Sequence, residues 1–215
     1  MIQLNEISPH GYGMILYSPD ILVEFLKAEK CRARKLCTYF DKNKDVFYKA
    51  IENGIVLPVY RICVFKYAIF VSINEGDIAA LDGWEQVFKY KDFFIQVGSS
   101  NKLCWASFDN FEYSKESIDN RPTTSCKITP HGPKGIMLPV YQAVDVEIPQ
   151  GNYKYDLIGY KRIEPLDESI QENVRRNYAY GYVFRSADTT QNKNMDNDNE
   201  KLEYDIHNYL GGKNG

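Results

Sequence analysis

The segment Gly54-Ile55-Val56-Leu57-Pro58-Val59-Tyr60 recurs as Gly135-Ile136-Met137-Leu138-Pro139-Val140-Tyr141, with six of seven positions identical. A second block follows each copy in the same order. Val71, Ile73 and Gly76 match Val146, Ile148 and Gly151, and then Gly83-Trp84 and Val87 match Gly159-Tyr160 and Ile163. Ordered similarity in two separated blocks reads as an internal duplication, which confines the chain to folds built from two like units. The repeated run is short, apolar and β-branched, the composition of a buried strand. Its proline has no N–H for a ladder, so it marks an edge strand or a bulge. In the second copy, Val146 and Ile148 lie before Pro149-Gln150-Gly151-Asn152, with Tyr153, Tyr155 and Leu157 after it. The expectation there is a hairpin around a Pro/Gly turn.

Helical signals flank the repeats. Leu22, Phe25, Leu26, Ala33, Leu36, Cys37 and Phe40 recur at helical spacing, predicting one helix over 19–40 capped by Ser18 or Asp20. Its basic residues, Lys27, Lys30, Arg32, Arg34 and Lys35, form either a solvated face or a contact for an acidic partner or phosphate. Asp45–Glu52 reads as a short helix ended by Asn53-Gly54. Phe93–Val97 and Lys102–Phe108 read as a hairpin across Gly98–Asn101. Residues 168–177 suggest a helix, Tyr178–Phe184 an aromatic strand, and Leu202–Leu210 a terminal helix that docks back. The Asn- and Asp-rich residues 186–200 carry no apolar face and read as mobile. The expected class is α+β: two related antiparallel β-rich units with helices near both termini. The expected organisation is a first unit over 1–113, a linker or long loop over 114–134, and a second unit over 135–215.

Charge and composition exclude some functions. The 26 Lys and Arg against 29 Asp and Glu give a formal net charge of −3, with no basic field suited to nucleic acid. No segment reaches the roughly 18 apolar residues of a membrane helix. Met1–Asp20 carries no basic start, apolar run or small-residue cleavage site, so a cytoplasmic location is expected. The odd set of five cysteines fits no zinc spacing and reads as reduced and buried.

No pattern of catalytic residues stands out. His10, His131 and His207 form no paired metal-ligand motif. Cys126 and His131 have nothing to orient them as nucleophile and base. The expectation is a protein that is not an enzyme and has no cofactor or metal. The 17 tyrosines suit half-buried strands first and interfaces second. Acidic residues after the expected hairpin read as an exposed loop, as carboxylates for a metal-dependent nuclease, or as a surface for a basic partner. On the last reading the binding residues are Trp105, Asp109, Glu112, Tyr113, Glu116 and Asp119.

Gly135–Tyr141, followed by Ile148-Pro149-Gln150-Gly151-Asn152-Tyr153-Lys154-Tyr155, resembles the competence-J-type nuclease inhibitors and related bacterial immunity proteins. The resemblance implies a non-enzymatic inhibitor that neutralises a toxin or nuclease, with a protein partner such as a cognate toxin. It carries over no binding residues. A structural or adaptor protein that self-associates through its repeat is the alternative. In a duplicated scaffold, function concentrates in what the copies do not share: Arg61–Phe70 in the first, Pro149 and Tyr153 in the second.

Overall fold

The computed structural model describes residues 1–4, 6–9, 11–73, 81–113, 125–131, 136–166, 177–187 and 201–209. These residues form a mixed α+β structure with two five-stranded sheets. The strands are β1 (Ile2–Gln3), β2 (Gly13–Tyr17), β3 (Val56–Tyr60), β4 (Tyr67–Ile73), β5 (Trp84–Val97), β6 (Lys102–Ser107), β7 (Ser125–His131), β8 (Ile136–Glu147), β9 (Gly151–Arg162) and β10 (Tyr178–Ser186). The helices are α1 (Pro19–Ala28), α2 (Leu36–Lys42) and α3 (Lys44–Glu52). Sheet A runs β1-β4-β10-β9-β5 and sheet B runs β3-β2-β6-β8-β7. Each sheet takes strands from both sides of residues 114–124. Sheet B is antiparallel throughout, but β10 lies parallel to β4, so sheet A is mixed rather than antiparallel.

Helices, sheet B and sheet A form successive layers. Leu57 pairs with Leu16 and Leu16 with Trp105, so these three share one face of sheet B. Trp105 meets Tyr182 of sheet A with ring centroids 5.1 Å apart, which turns that face toward sheet A. The opposite face carries Tyr17 against Phe111, while Phe40 packs on Phe111 and on Phe47. All five residues of β2 are buried, as a strand covered on both faces must be.

The helix expected over 19–40 is two helices. Lys30 takes a left-handed conformation (φ 53°), its N–H bonds to Lys27 O, and the Cys31 N–H reaches back to Leu26 O at 2.9 Å. This is a Schellman stop with lysine where glycine is usual, so no glycine marked it. The stop after α3 does carry its signal. Gly54 (φ 64°) donates to Ile51 O and Ile55 to Ala50 O.

Neither expected hairpin forms. β5 and β6 pass through Gly98–Asn101 into different sheets, and β8 and β9 do the same through Ile148–Gln150. The turn chemistry was legible, but a turn between apolar strands can also change sheets, and sequence does not separate the two. The corners touch each other, since Asn101 accepts the Ile148 N–H on its carbonyl and the Gln150 N–H on its side chain.

The structure does not confirm the duplication. The first Gly-Ile-x-Leu-Pro-Val-Tyr run becomes β3 at the edge of sheet B, and the second opens β8 beside β7. Val71 lies in sheet A, whereas its counterpart Val146 lies in sheet B. The proline rule does hold at both sites. Pro58 is on an edge strand, and Pro139 lies where β8 pairs only with β7, before β6 joins at Ala143.

Residues 125–131, within the stretch read as a linker or long loop, form the edge strand β7. An edge tolerates the proline and polar residues that argued against a strand. Residues 201–209 form turns rather than the expected helix, yet they dock as expected, with Tyr204 and Ile206 buried and Leu202 half-buried. The expected helix over 168–177 and the tract over 186–200 fall largely outside the described residues.

Candidate functional site

Three loops meet at one end of sheet B. Gly13 pairs with Tyr60 and Met14 with Ser107, so the start of β2 and the ends of β3 and β6 lie together. Just beyond them are Gly11-Tyr12, Arg61 and the 3-10 turn Phe108–Asn110. Tyr12 is 68% exposed and left-handed (φ 59°), and its carbonyl accepts the Ile62 N–H at 3.2 Å. Arg61 is exposed and left-handed as well (φ 54°). A left-handed non-glycine residue costs about 1–2 kcal/mol, so the fold holds two side chains outward at a cost. Asp109 is exposed beside them: a Cβ on Gly11 (φ 77°) would stand 2.8 Å from Asp109 Oδ1, closer than a side chain allows.

The residues anticipated from sequence divide three ways. Asp109 is exposed and Glu112 half-buried, with Arg34 Nε donating to Glu112 Oε2 at 3.1 Å. An ion pair this exposed contributes little, about 0–1 kcal/mol. Main-chain bonds do more to fix the strip, with Tyr113 N–H to Arg34 O at 2.7 Å and Leu36 N–H to Phe111 O at 3.2 Å. Trp105 and Tyr113 are buried, at 0% and 7% exposure, so they build the core and present no surface. The aromatic signal that selected them also fits a core position. Glu116 and Asp119 lie outside the described residues. Sequence reasoning missed Tyr12, and reached Arg61 only as the first residue of the stretch Arg61–Phe70 that the copies do not share. The Gly11-Tyr12-Gly13 spacing was a visible sign of unusual backbone there.

A second polar cluster ties down the C-terminal segment. The Cys63 thiol donates to Asp205 Oδ2 at 3.3 Å, Asn208 Nδ2 donates to the same oxygen at 2.7 Å, and Tyr178 Oη meets His207 Nδ1 at 2.6 Å. Phe65 packs against both Tyr178 and His207. Burial, reinforced by the Asp205 carboxylate, pushes the Cys63 thiol up. An activated nucleophile requires the opposite shift. Cys126 and His131 both lie in β7. Among the described residues, no group of three or more His, Cys, Asp or Glu is placed to hold a metal.

Asp156 is a third feature, buried on the outer side of sheet A. It takes an ion pair from Lys89 Nζ at 3.2 Å and another from Arg185. Burial pushes its carboxyl up, but the Arg185 and Lys89 contacts and the Asp92 N–H outweigh this and hold it below the ordinary range.

The interior between the sheets holds polar atoms without hydrogen-bond partners: Trp105 Nε1, Ser107 Oγ, Tyr155 Oη and Tyr182 Oη. All four residues are at least 98% buried. A buried group left without any partner costs about 1–3 kcal/mol. Burial pushes the Tyr182 pKa up, and the Trp105 indole lies close enough to the Tyr182 hydroxyl to lower it against that larger push.

Searches against protein-family models, curated proteins and solved structures find no match for this chain.

Proposed function

We propose that this chain is a non-enzymatic protein-binding inhibitor, of the kind that neutralises a bacterial toxin or nuclease, and that the loops at one end of sheet B make the contact. The observation that carries the reading is Tyr12: a large aromatic side chain, 68% exposed, held outward in a left-handed backbone beside Asp109. Tyrosine and arginine are the residues that anchor protein interfaces, and Arg61 stands at the same end. Asp109 and Glu112 add acidic groups suited to the basic active site of a nuclease, where charge complementarity speeds association. Main-chain bonds hold the strip in shape before binding, which lowers the entropic cost of association. The resemblance of Gly135–Tyr141 and Ile148–Tyr155 to inhibitor and immunity proteins points the same way. A cytoplasmic site of action follows from this reading.

The test is size-exclusion chromatography of this protein mixed with the purified product of the neighbouring gene. A single earlier-eluting complex is expected. Separate elution of the two proteins contradicts the reading. Self-association through the repeat, the alternative, requires two equivalent units, and the placements of β3 and β8 in sheet B do not supply an obvious pair.

A further inference from the structure

We infer that the aromatic side chains holding residues 203–209 form a peptide-binding site, which the chain occupies with its own C-terminal segment, and that its ligand is a peptide carrying a tyrosine followed by a carboxylate. Tyr178 and Tyr180 are two residues apart on β10, and Phe88 and Tyr90 are two apart on β5, so each pair shares one face of its strand. Gly159 of β9 lies opposite both Tyr180 and Phe88. Its missing side chain lets those two rings approach across the intervening strand, with centroids 6.4 Å apart. Phe65, ahead of β4, extends the row by stacking on Tyr178 at 5.1 Å.

Residues 203–209 sit on this row as a bound peptide does. Two successive carbonyls accept hydroxyls from two different strands, Tyr90 Oη donating to Glu203 O at 2.7 Å and Tyr180 Oη to Tyr204 O at 2.8 Å. Such bonds read main chain, whatever side chains the peptide carries, and side-chain contacts add the selection. Tyr204 is 1% exposed and meets Tyr90 edge-on, with ring centroids 5.8 Å apart. Asp205 Oδ2 accepts the Cys63 thiol at 3.3 Å. His207 packs on Phe65 at 5.1 Å, and Tyr209 on Phe88 at 5.4 Å. The segment also shapes its own turn, since the Asp205 N–H donates to Glu203 Oε1 and the His207 N–H to Asp205 Oδ1. A partner peptide with a tyrosine and then a carboxylate reproduces the anchor, both carbonyls and the acceptor for Cys63. The site uses none of Tyr12, Arg61 or Asp109, so its failure would leave the reading of the loops at the end of sheet B intact.

The probe is a fluorescein-labelled synthetic peptide of residues 201–209, titrated with the full chain and followed by fluorescence anisotropy. In the unmodified chain the attached segment competes at an effective concentration on the order of millimolar, so the peptide is held off. Tyr204→Ala removes that competitor's anchor. The full-length variant, confirmed as folded by circular dichroism, is expected to bind the peptide about tenfold or more tightly than the unmodified chain does. Peptides carrying Tyr204→Ala or Asp205→Ala are expected to bind the variant more weakly, the first by about tenfold or more. No binding to the folded variant, equal binding by the two chains, or equal binding of the Tyr204→Ala peptide overturns the inference. Chymotrypsin digestion of the unmodified chain decides the matter if the variant does not fold. A segment that vacates its site does so while the sheets stay closed, so cleavage after Tyr204 should be about tenfold or more faster than after Tyr155 in β9 or Tyr182 in β10. Equal rates show that the segment leaves only when the whole fold opens, and they overturn the inference.

Discussion

The Ser100 backbone N–H donates to Asp20 Oδ2 at 2.9 Å, tying the first turn of α1 to the corner where the chain passes from sheet A to sheet B. Both Ser99 Oγ and Ser100 Oγ donate to the same carboxylate, and Ser18 Oγ joins it while accepting the Gly98 N–H. Ser18 is the backbone N-cap of α1, and Asp20 spends its carboxylate on the corner. Asp20→Ala removes several hydrogen bonds to a charged acceptor at once. We expect a loss of about 1–3 kcal/mol in urea unfolding. A change below a few tenths would show the corner to be held by other contacts.

Acid should reveal the same carboxylate. Burial raises the Asp20 pKa, but the Ser100 N–H and the Ser100 and Ser18 hydroxyls outweigh it, leaving the group below its ordinary value. Asp156 is lowered as well. A carboxyl depressed in the folded state stabilises the fold fully above its unfolded value, about 3.9, and that contribution disappears as pH falls through the lower folded value. Stability should therefore drop below about pH 4, and Asp20→Asn should flatten part of the drop. An identical pH profile for the variant would contradict the assignment.

How far the fold could be read depended on whether local chemistry had one structural meaning. Asn53-Gly54 marked the end of α3 because glycine is the cheapest residue in a left-handed cap. Lys30 performs the same task after α1 with no such mark, so two helices read as one. The strands β3 and β10 were legible from apolar and aromatic runs. Their partners were not, because pairing is decided by residues far away in sequence: Tyr178 lies beside Tyr67 on one side and Lys161 on the other. The site was legible only in part. Asp109 and Glu112 carry their charge in the sequence, whereas Tyr12 gains its meaning from a backbone conformation.

Gly159 tests the packing within sheet A. A Cβ there would stand 2.5 Å from Phe88 Cε1, and Phe88 stacks on Tyr90 at 4.8 Å, so the ring cannot withdraw without disturbing its neighbour. Gly159→Ala is expected to destabilise by about 1–3 kcal/mol, read as a fall in the urea midpoint. A neutral result would show that the ring moves freely.

Cys37 reports on the exposed strip. Its thiol donates to Phe108 O at 3.3 Å, and burial, aided by the nearby Asp109 carboxylate, pushes its pKa up to about 12. A free thiol has a value of about 8.5, so alkylation of Cys37 at pH 8 should be on the order of a thousandfold slower than that of a free cysteine. Residue-resolved mass spectrometry measures the rate. Asp109→Asn should accelerate it modestly, and labelling at the free-cysteine rate would contradict the described environment.

The most direct test of the inhibitor reading is growth of cells expressing the neighbouring gene product with either this protein or its Asp109→Lys, Tyr12→Ala variant, both confirmed as folded. The account predicts that the unmodified chain restores growth and that the double variant does so poorly or not at all. A neighbouring product that is harmless alone, or toxicity that persists beside the unmodified chain, would contradict it.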